Sequence, residues 1–350
     1  MVKPVFIGTR PVGPGLPCLV IAEAGVNHNG SLDMALRLVD AAVEAGADIV
    51  KFQTFKSEEV VTPLAPKADY QVQNTGASES QLDMIKKLEL PDDAFRTIQA
   101  RCRERGITFL STPFDPRSAD LLEEMGVAAF KVASGEITNH PFLSHVARKG
   151  RPLIVSTGMS NLDEVAAALD VIYAAGNTNL VLLHCVSNYP AAPASVNLRA
   201  VKTLEERFNV PVGYSDHTEG IAIAIGAAAL GACVVEKHFT LDRTLPGPDH
   251  RASLEPRELV AMVKGIRDVQ SAVGDGVKRP VAEELSTAAV ARRSLVAAHD
   301  LLAGTVLTDN MVAIRRPGTG LPPSDLNRLV GRQLKQDLDA GDLFTLEMLI

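Results

Sequence analysis

The chain has 350 residues, 46% hydrophobic and 22% charged, which excludes global disorder and allows one large domain plus a small one. A formal net charge of -7 offers nothing overall to a nucleic acid or an anionic membrane, so any anion this protein handles must meet locally gathered positive charge. No apolar stretch reaches the roughly 18 residues of a membrane span, and "MVKPVFIGTRPVGPG" holds no apolar segment of signal-peptide length; a cytoplasmic protein with neither membrane nor nucleic-acid partner is expected.

From Cys18 to about Gly274, short apolar runs alternate with amphipathic stretches. Strands are predicted in "CLVIAEAG" from Cys18, "DIVKFQT" from Asp48, "ITFLSTP" from Ile107 and "AAFKVASG" from Ala128. Four more follow, in "PLIVSTG" from Pro152, "LVLLHCV" from Leu180, "VPVGYSD" from Val210 and "CVVEKHF" from Cys233. Helical patterns separate them, the first opened by the N-cap candidate Ser31 and closed by Gly46. Eight strand–helix units over about 250 residues predict an α/β fold of the (β/α)8 TIM-barrel type.

Between the second and third strands, residues 55–91 form a connection far longer than the usual 2–6 residues, with one short helix expected in "QLDMIKKLEL". A lid over the barrel mouth or an oligomer contact is the expectation. The barrel is assigned to residues 1–280, a charged linker to 281–292 and a small β-rich domain to 293–350. Within that tail, "DLLAGTVLTDNM" and "DLDAGDLFTLEM" match at a constant offset, which predicts two pseudo-symmetric halves. Cys18, Cys102, Cys185 and Cys233 show no C-x-x-C spacing and are read as buried free thiols.

Barrel enzymes place their chemistry at the C-terminal ends of the strands, and here those ends are unusually polar. His217 follows the seventh strand as His238 follows the eighth, and adjacent strands lie about 4.8 Å apart, so the two imidazoles can share one divalent ion. Such a pair leaves coordination positions open, as a catalytic rather than a structural ion requires. Lys51 and Lys131 each lie inside an apolar strand at the same end, and a buried ammonium needs an anionic partner. That partner is either a protein carboxylate, Glu23 or Glu136, or a substrate with several negative charges, helped by hydroxyls from Thr112, Ser134 and Ser215.

The segments "IAEAGVNHNGSLDMAL", "VKFQTF", "STPFD", "KVASGEITNHPFL", "STGMS", "YSDHTEG" and "EKHFTLDRTLPGPDH" resemble the bacterial sialic acid synthases along essentially the whole chain. The tail segments "RSLVAAHDLLAGTVL" and "RRPGTG" resemble the antifreeze-like (SAF, β-clip) domain of those enzymes. The resemblance implies a transferase that condenses phosphoenolpyruvate with the open aldehyde form of an N-acetylated amino sugar and releases phosphate. N-acetylmannosamine, giving N-acetylneuraminate, is the expected acceptor; a 2,4-diacetamido-6-deoxy sugar, giving a legionaminate, is the alternative.

The resemblance further implies that His217 and His238 bind manganese, with magnesium or cobalt as alternatives. It implies that Lys51, Thr112, Lys131, Ser134 and Ser215 hold phosphoenolpyruvate. Ser187 stands where some members place asparagine, which leaves open whether it or Asn188 touches that substrate. Glu23 matches the acid–base residue; Glu136, a second carboxylate, joins Gln53, Tyr189 and Asp249 in orienting the sugar. Arg316 matches an arginine that reaches the sugar in the partner subunit's barrel, which implies a domain-swapped homodimer. Two other readings stand beside these: a Schiff-base aldolase with Lys131 as its amine, and a non-catalytic sugar-binding protein.

Overall fold

A hairpin absent from the expected elements comes first. In the computed structural model, which describes residues 2–350, β1 (Val5–Ile7) pairs antiparallel with β2 (Arg10–Val12). Eight parallel strands follow: β3 (Leu19–Gly25), β4 (Ile49–Thr54), β5 (Thr108–Pro113), β6 (Phe130–Val132), β7 (Leu153–Ser156), β8 (Leu180–Cys185), β9 (Val212–Asp216) and β10 (Val234–His238). Their order, β5-β4-β3-β10-β9-β8-β7-β6, brings first and last together, and β5 packs beside β6 without a hydrogen-bonded ladder, so the (β/α)8 barrel is nearly closed. The expected first helix runs Leu32–Glu44, with Ser31 Oγ accepting from Met34 N and Gly46 beyond its end at φ +74°.

Period-two alternation sorts each strand. Val20, Val50, Phe109, Leu182 and Val235 face outward into the large core under the helices. Leu19, Ile21, Ile49, Leu110, Ile154, Val181 and Val234 face inward and cluster with Val5, Ile7 and Val12 of the hairpin, which plugs the N-terminal end of the barrel. Continuing along the same inward faces, the next layer is polar and charged. At Gly213 a Cβ would lie 2.4 Å from Val234 O, so no side chain fits between β9 and β10 there.

The chain divides into two compact units, one up to Gly274 and one from Asp275. The expected linker, 281–292, carries a helix, Glu284–Ala291, because its alanine-rich "ELSTAAVA" favours one over extended chain. Within the second unit, β11 (Ser294–Ala297) pairs antiparallel with β12 (Val312–Arg315). The sequence repeat is a structural one. Leu301 bridges Leu338, its own counterpart, and the caps are reciprocal: Ala340 N donates to Asp300 Oδ1 at 2.8 Å and Ala303 N to Asp337 Oδ1 at 2.7 Å. Among the described residues no helix is long and apolar enough to cross a membrane.

Candidate active site

At the C-terminal end of the barrel lies a cavity of about 410 Å³. Of the candidate site residues named from the sequence, all except Glu136, Asn188 and Arg316 line it, so of the pair left open Ser187 is the one that faces the cavity. Glu136 sits in a short 3-10 turn, Ser134–Glu136, beyond the end of β6, half-buried, with Oε2 accepting from Asn139 Nδ2 at 2.7 Å. Turning out of the strand at Ala133 directs it away from the cavity lining. Arg316 belongs to the second unit, where it is exposed in the segment after β12.

The cavity floor is a layer of buried charge. Lys51 Nζ lies 2.5 Å from Glu23 Oε2 and donates to Thr112 Oγ1 at 2.9 Å. Lys131 Nζ donates to Ser156 Oγ at 2.7 Å and to Val132 O at 3.2 Å. Between the lysines stands Glu236, 3.8 Å from Lys51 and 3.7 Å from Lys131, accepting from Ser215 Oγ at 3.1 Å. The alternatives left open for the lysines therefore coexist: protein carboxylates accompany them, and the cavity leaves them facing space for an anion. Glu23 is the carboxylate partner of Lys51; Glu136 is not a partner of either.

Burial dominates the titration of this layer. It lifts Glu23 to about 7, against the pull of Lys51 and with a push from Glu236. It pulls Lys131 down, partly offset by Glu236. Glu236 itself is held below the usual carboxylate range because the two lysines and Ser215 outweigh its burial. A low-pKa carboxylate next to a raised one is the division of labour that acid–base chemistry uses.

Above the floor, the rings of His217 and His238 lie 5.4 Å apart between centroids. Two imidazoles bound to one ion through ~2.1 Å bonds have ring centres about 5 Å apart, so the spacing fits a shared cation. His217 Nδ1 donates to Val186 O at 2.7 Å, which leaves Nε2 as the free lone pair. His238 Nδ1 is buried without a partner, and burial together with His217 and the lysines holds this ring well below its ordinary pKa. No group of three or more His, Cys, Asp or Glu side chains converges among the described residues, so a cation here would keep positions for substrate oxygens. Cys185, read from sequence as a buried free thiol, is one, and it lines the same cavity with Sγ 3.7 Å from His217 Nδ1.

The 55–91 connection folds into three short helices, Ser57–Val60, Asp69–Thr75 and Gln81–Lys86, and lends residues to the cavity. Tyr70 packs at a tilt against Tyr189, 5.0 Å between centroids, and Tyr189 packs likewise against His217 at 4.0 Å. Asn74 Nδ2 donates to Pro248 O at 2.6 Å, tying this segment to the loop of Asp249, whose carboxyl burial lifts to about 6. Val26, Phe55, Ile85, Leu88 and Phe114 cluster into one apolar wall. They follow β3, β4 and β5, neighbours in the barrel, whereas the histidines come from β9 and β10. The mouth thus has an apolar side and a polar side. Gly158 marks the closest approach on the polar side, since a Cβ there would meet Ser187 Oγ at 2.3 Å and Ser134 Oγ at 2.8 Å.

Sequence reasoning counts Glu236 and Ser156 among the polar strand ends without giving either a role, and it passes over Tyr70. Period-two spacing from Val234 puts Glu236 on the inward face beside His238, a signal that was present; Tyr70 lies outside any strand and carries none.

Comparison with known proteins adds two family matches: the NeuB family over residues 38–278 and the SAF domain over residues 292–350. The N,N'-diacetyllegionaminic acid synthase of Legionella pneumophila is 47% identical over 338 residues, 95% of each chain. That of Campylobacter jejuni is 46% identical over 316 residues, 90% of this chain and 95% of its own. The structure of N-acetylneuraminic acid (sialic acid) synthetase from Leptospira borgpetersenii superposes with a TM-score of 0.72 at 34% identity, covering 82% of this chain and 95% of that one.

Proposed function

This chain belongs to the NeuB family, and we propose that it joins phosphoenolpyruvate to the open-chain aldehyde of an N-acetylated amino sugar, releasing phosphate and leaving a nine-carbon sugar acid. One observation carries the reading: Lys51 and Lys131 converge on the floor of the same cavity that holds the histidine pair. Those ammoniums, with the hydroxyls of Thr112, Ser134, Ser156 and Ser215, suit the phosphate and carboxylate of a trianionic enol ester. His217 and His238 would hold a divalent ion of the manganese type, which when bound supplies Lewis-acid polarisation of the sugar's carbonyl oxygen.

The chain's own groups account for the remaining steps. Held against the floor, C3 of the enol attacks the aldehyde carbon; a C–C bond forms, the carbonyl π pair passes to the aldehyde oxygen, which takes a proton from water to become a hydroxyl, and positive charge develops at C2. Glu23 and Glu236 stabilise that charge, and Glu23, poised near neutrality, takes the proton of the water that adds to C2. Collapse of the tetrahedral centre breaks the C2–O bond and expels phosphate. Tyr189 and Asp249 orient the sugar from the polar side of the mouth, and Gln53 does so from β4. No covalent lysine adduct forms, so borohydride leaves the enzyme untouched, unlike a Schiff-base aldolase.

For the acceptor we propose a 2,4-diacetamido-6-deoxy sugar. The apolar wall of Phe55, Ile85, Leu88 and Phe114 supports it, since a methyl terminus loses no hydrogen bonds there. The two legionaminic acid synthases among the relatives support it also. N-acetylmannosamine is the second reading, supported by the likeness to the Leptospira enzyme. An apolar pocket separates hydrogen from hydroxyl by about a hundredfold. Phosphate release and product mass with each sugar test the choice: kcat/KM should favour the 2,4-diacetamido-6-deoxy sugar, and preference for N-acetylmannosamine reverses it. A domain-swapped homodimer, with Arg316 presented to the partner's sugar, is proposed on family grounds.

A further inference from the structure

Directly behind the two histidines, on the outer face of the barrel, lies a buried ion pair that takes no part in the cavity. Asp216 and Lys237 are direct cross-strand partners of β9 and β10, each one residue before a histidine. Alternation sends His217 and His238 inward and this pair outward. Lys237 Nζ lies 2.8 Å from Asp216 Oδ2 and donates to Thr218 O. Asp216 Oδ1 accepts from Tyr214 Oη at 3.1 Å and from Thr218 N at 2.9 Å. Both charged side chains are essentially inaccessible, at 0% and 1% exposure.

A buried ion pair of this kind contributes little net stability compared with apolar residues of the same volume. A fully hydrogen-bonded network, by contrast, rigidifies what it joins. What it joins here are the two strand ends whose next residues are His217 and His238. A slip of one residue between these strands would displace one imidazole by about 3.3 Å and turn it to the opposite face. The Lys237 bond to Thr218 O reaches past His217, so it pins the backbone on both sides of that histidine.

We infer that the Asp216–Lys237 pair is a positioning element that sets the separation at which His217 and His238 take a divalent cation; this rests on the cation reading given above. Partners that orient metal ligands change affinity by about 10–100-fold when removed. The test is Mn2+ binding by isothermal titration calorimetry on the full chain, beside urea unfolding. Asp216→Asn with Lys237→Met keeps an acceptor for Tyr214 and Thr218 and the bulk of the lysine stem, while removing both charges.

That variant should bind Mn2+ about 10–100-fold more weakly, with phosphoenolpyruvate affinity unchanged. Tyr214→Phe, which removes one hydrogen bond to Asp216 and no charge, should weaken Mn2+ binding by a smaller factor, and it decides the question if the double variant does not fold. Wild-type Mn2+ affinity in a folded variant overturns the inference, whatever the stability change, since it makes the pair purely structural. A wild-type chain that takes up no Mn2+, or takes it up equally after His238→Ala, removes the cation reading and this inference with it.

Discussion

Replacing each buried lysine by methionine separates two roles that the structure distributes unequally. Lys51 is 2.5 Å from Glu23 Oε2, whereas the nearest carboxylate oxygen to Lys131 is that of Glu236 at 3.7 Å. Lys51→Met strands Glu23, which is 1% exposed, and removing one partner of a buried pair costs about 3–5 kcal/mol. Lys131→Met leaves Glu236 with Lys51 at 3.8 Å and Ser215 at 3.1 Å and relieves a desolvated ammonium. Its cost should be nearer the ~1 kcal/mol of an ordinary hydrogen bond.

Equilibrium urea unfolding should therefore place Lys51→Met about 2–4 kcal/mol below Lys131→Met. The penalty on Lys51→Met should fade as the pH falls below about 7, because Glu23, lifted to about 7 by burial, is then neutral in the folded wild type as well and has no charge to strand. Affinity should show the complementary pattern. Losing a charge-assisted hydrogen bond of roughly 1.5–3 kcal/mol raises the Kd for phosphoenolpyruvate about 10- to 150-fold in Lys131→Met. Equal stability losses in the two variants, or an unchanged Kd in folded Lys131→Met, would refute the assignment of one lysine mainly to Glu23 and the other mainly to substrate.

Two further outcomes are expected. His28 is buried with Nε2 unpartnered, and burial with nearby His250 holds it at about 4, so below pH 6.5 the unfolded chain takes up a proton that the folded one refuses. Its stabilisation, about 3 kcal/mol, is whole above pH 6.5 and lost as the pH falls to 4; His28→Gln should flatten that limb of a pH–stability curve, and an unaltered slope counts against it. Arg316→Ala should raise the KM for the sugar and leave phosphoenolpyruvate binding alone. Reassociated with His238→Ala, it should recover up to about a quarter of wild-type activity if the dimer is domain-swapped, since half the dimers would be hybrids with one intact site. Hybrids confirmed by mass but inactive would exclude the swap.

Much of the site was legible in the sequence because the barrel converts local pattern into position. Period-two alternation and the polar ends of apolar runs suffice to place Lys51, Lys131, His217 and His238 at one mouth, whatever the helices do. The tail repeat was legible for a similar reason: equivalent residues, Asp300 and Asp337, cap each other's turns. The sequence alone left undecided which charges meet. Glu236 comes to stand between Lys51 and Lys131, residues on three different strands, through the strand order and register that close the barrel. Tyr70 reaches Tyr189 because a long connection folds back over the mouth, and Asp216 faces Lys237 because the β9–β10 register makes them cross-strand partners. Periodicity is a property of one strand, whereas these contacts depend on neighbours set by packing between strands, and that is where only the tertiary structure decided.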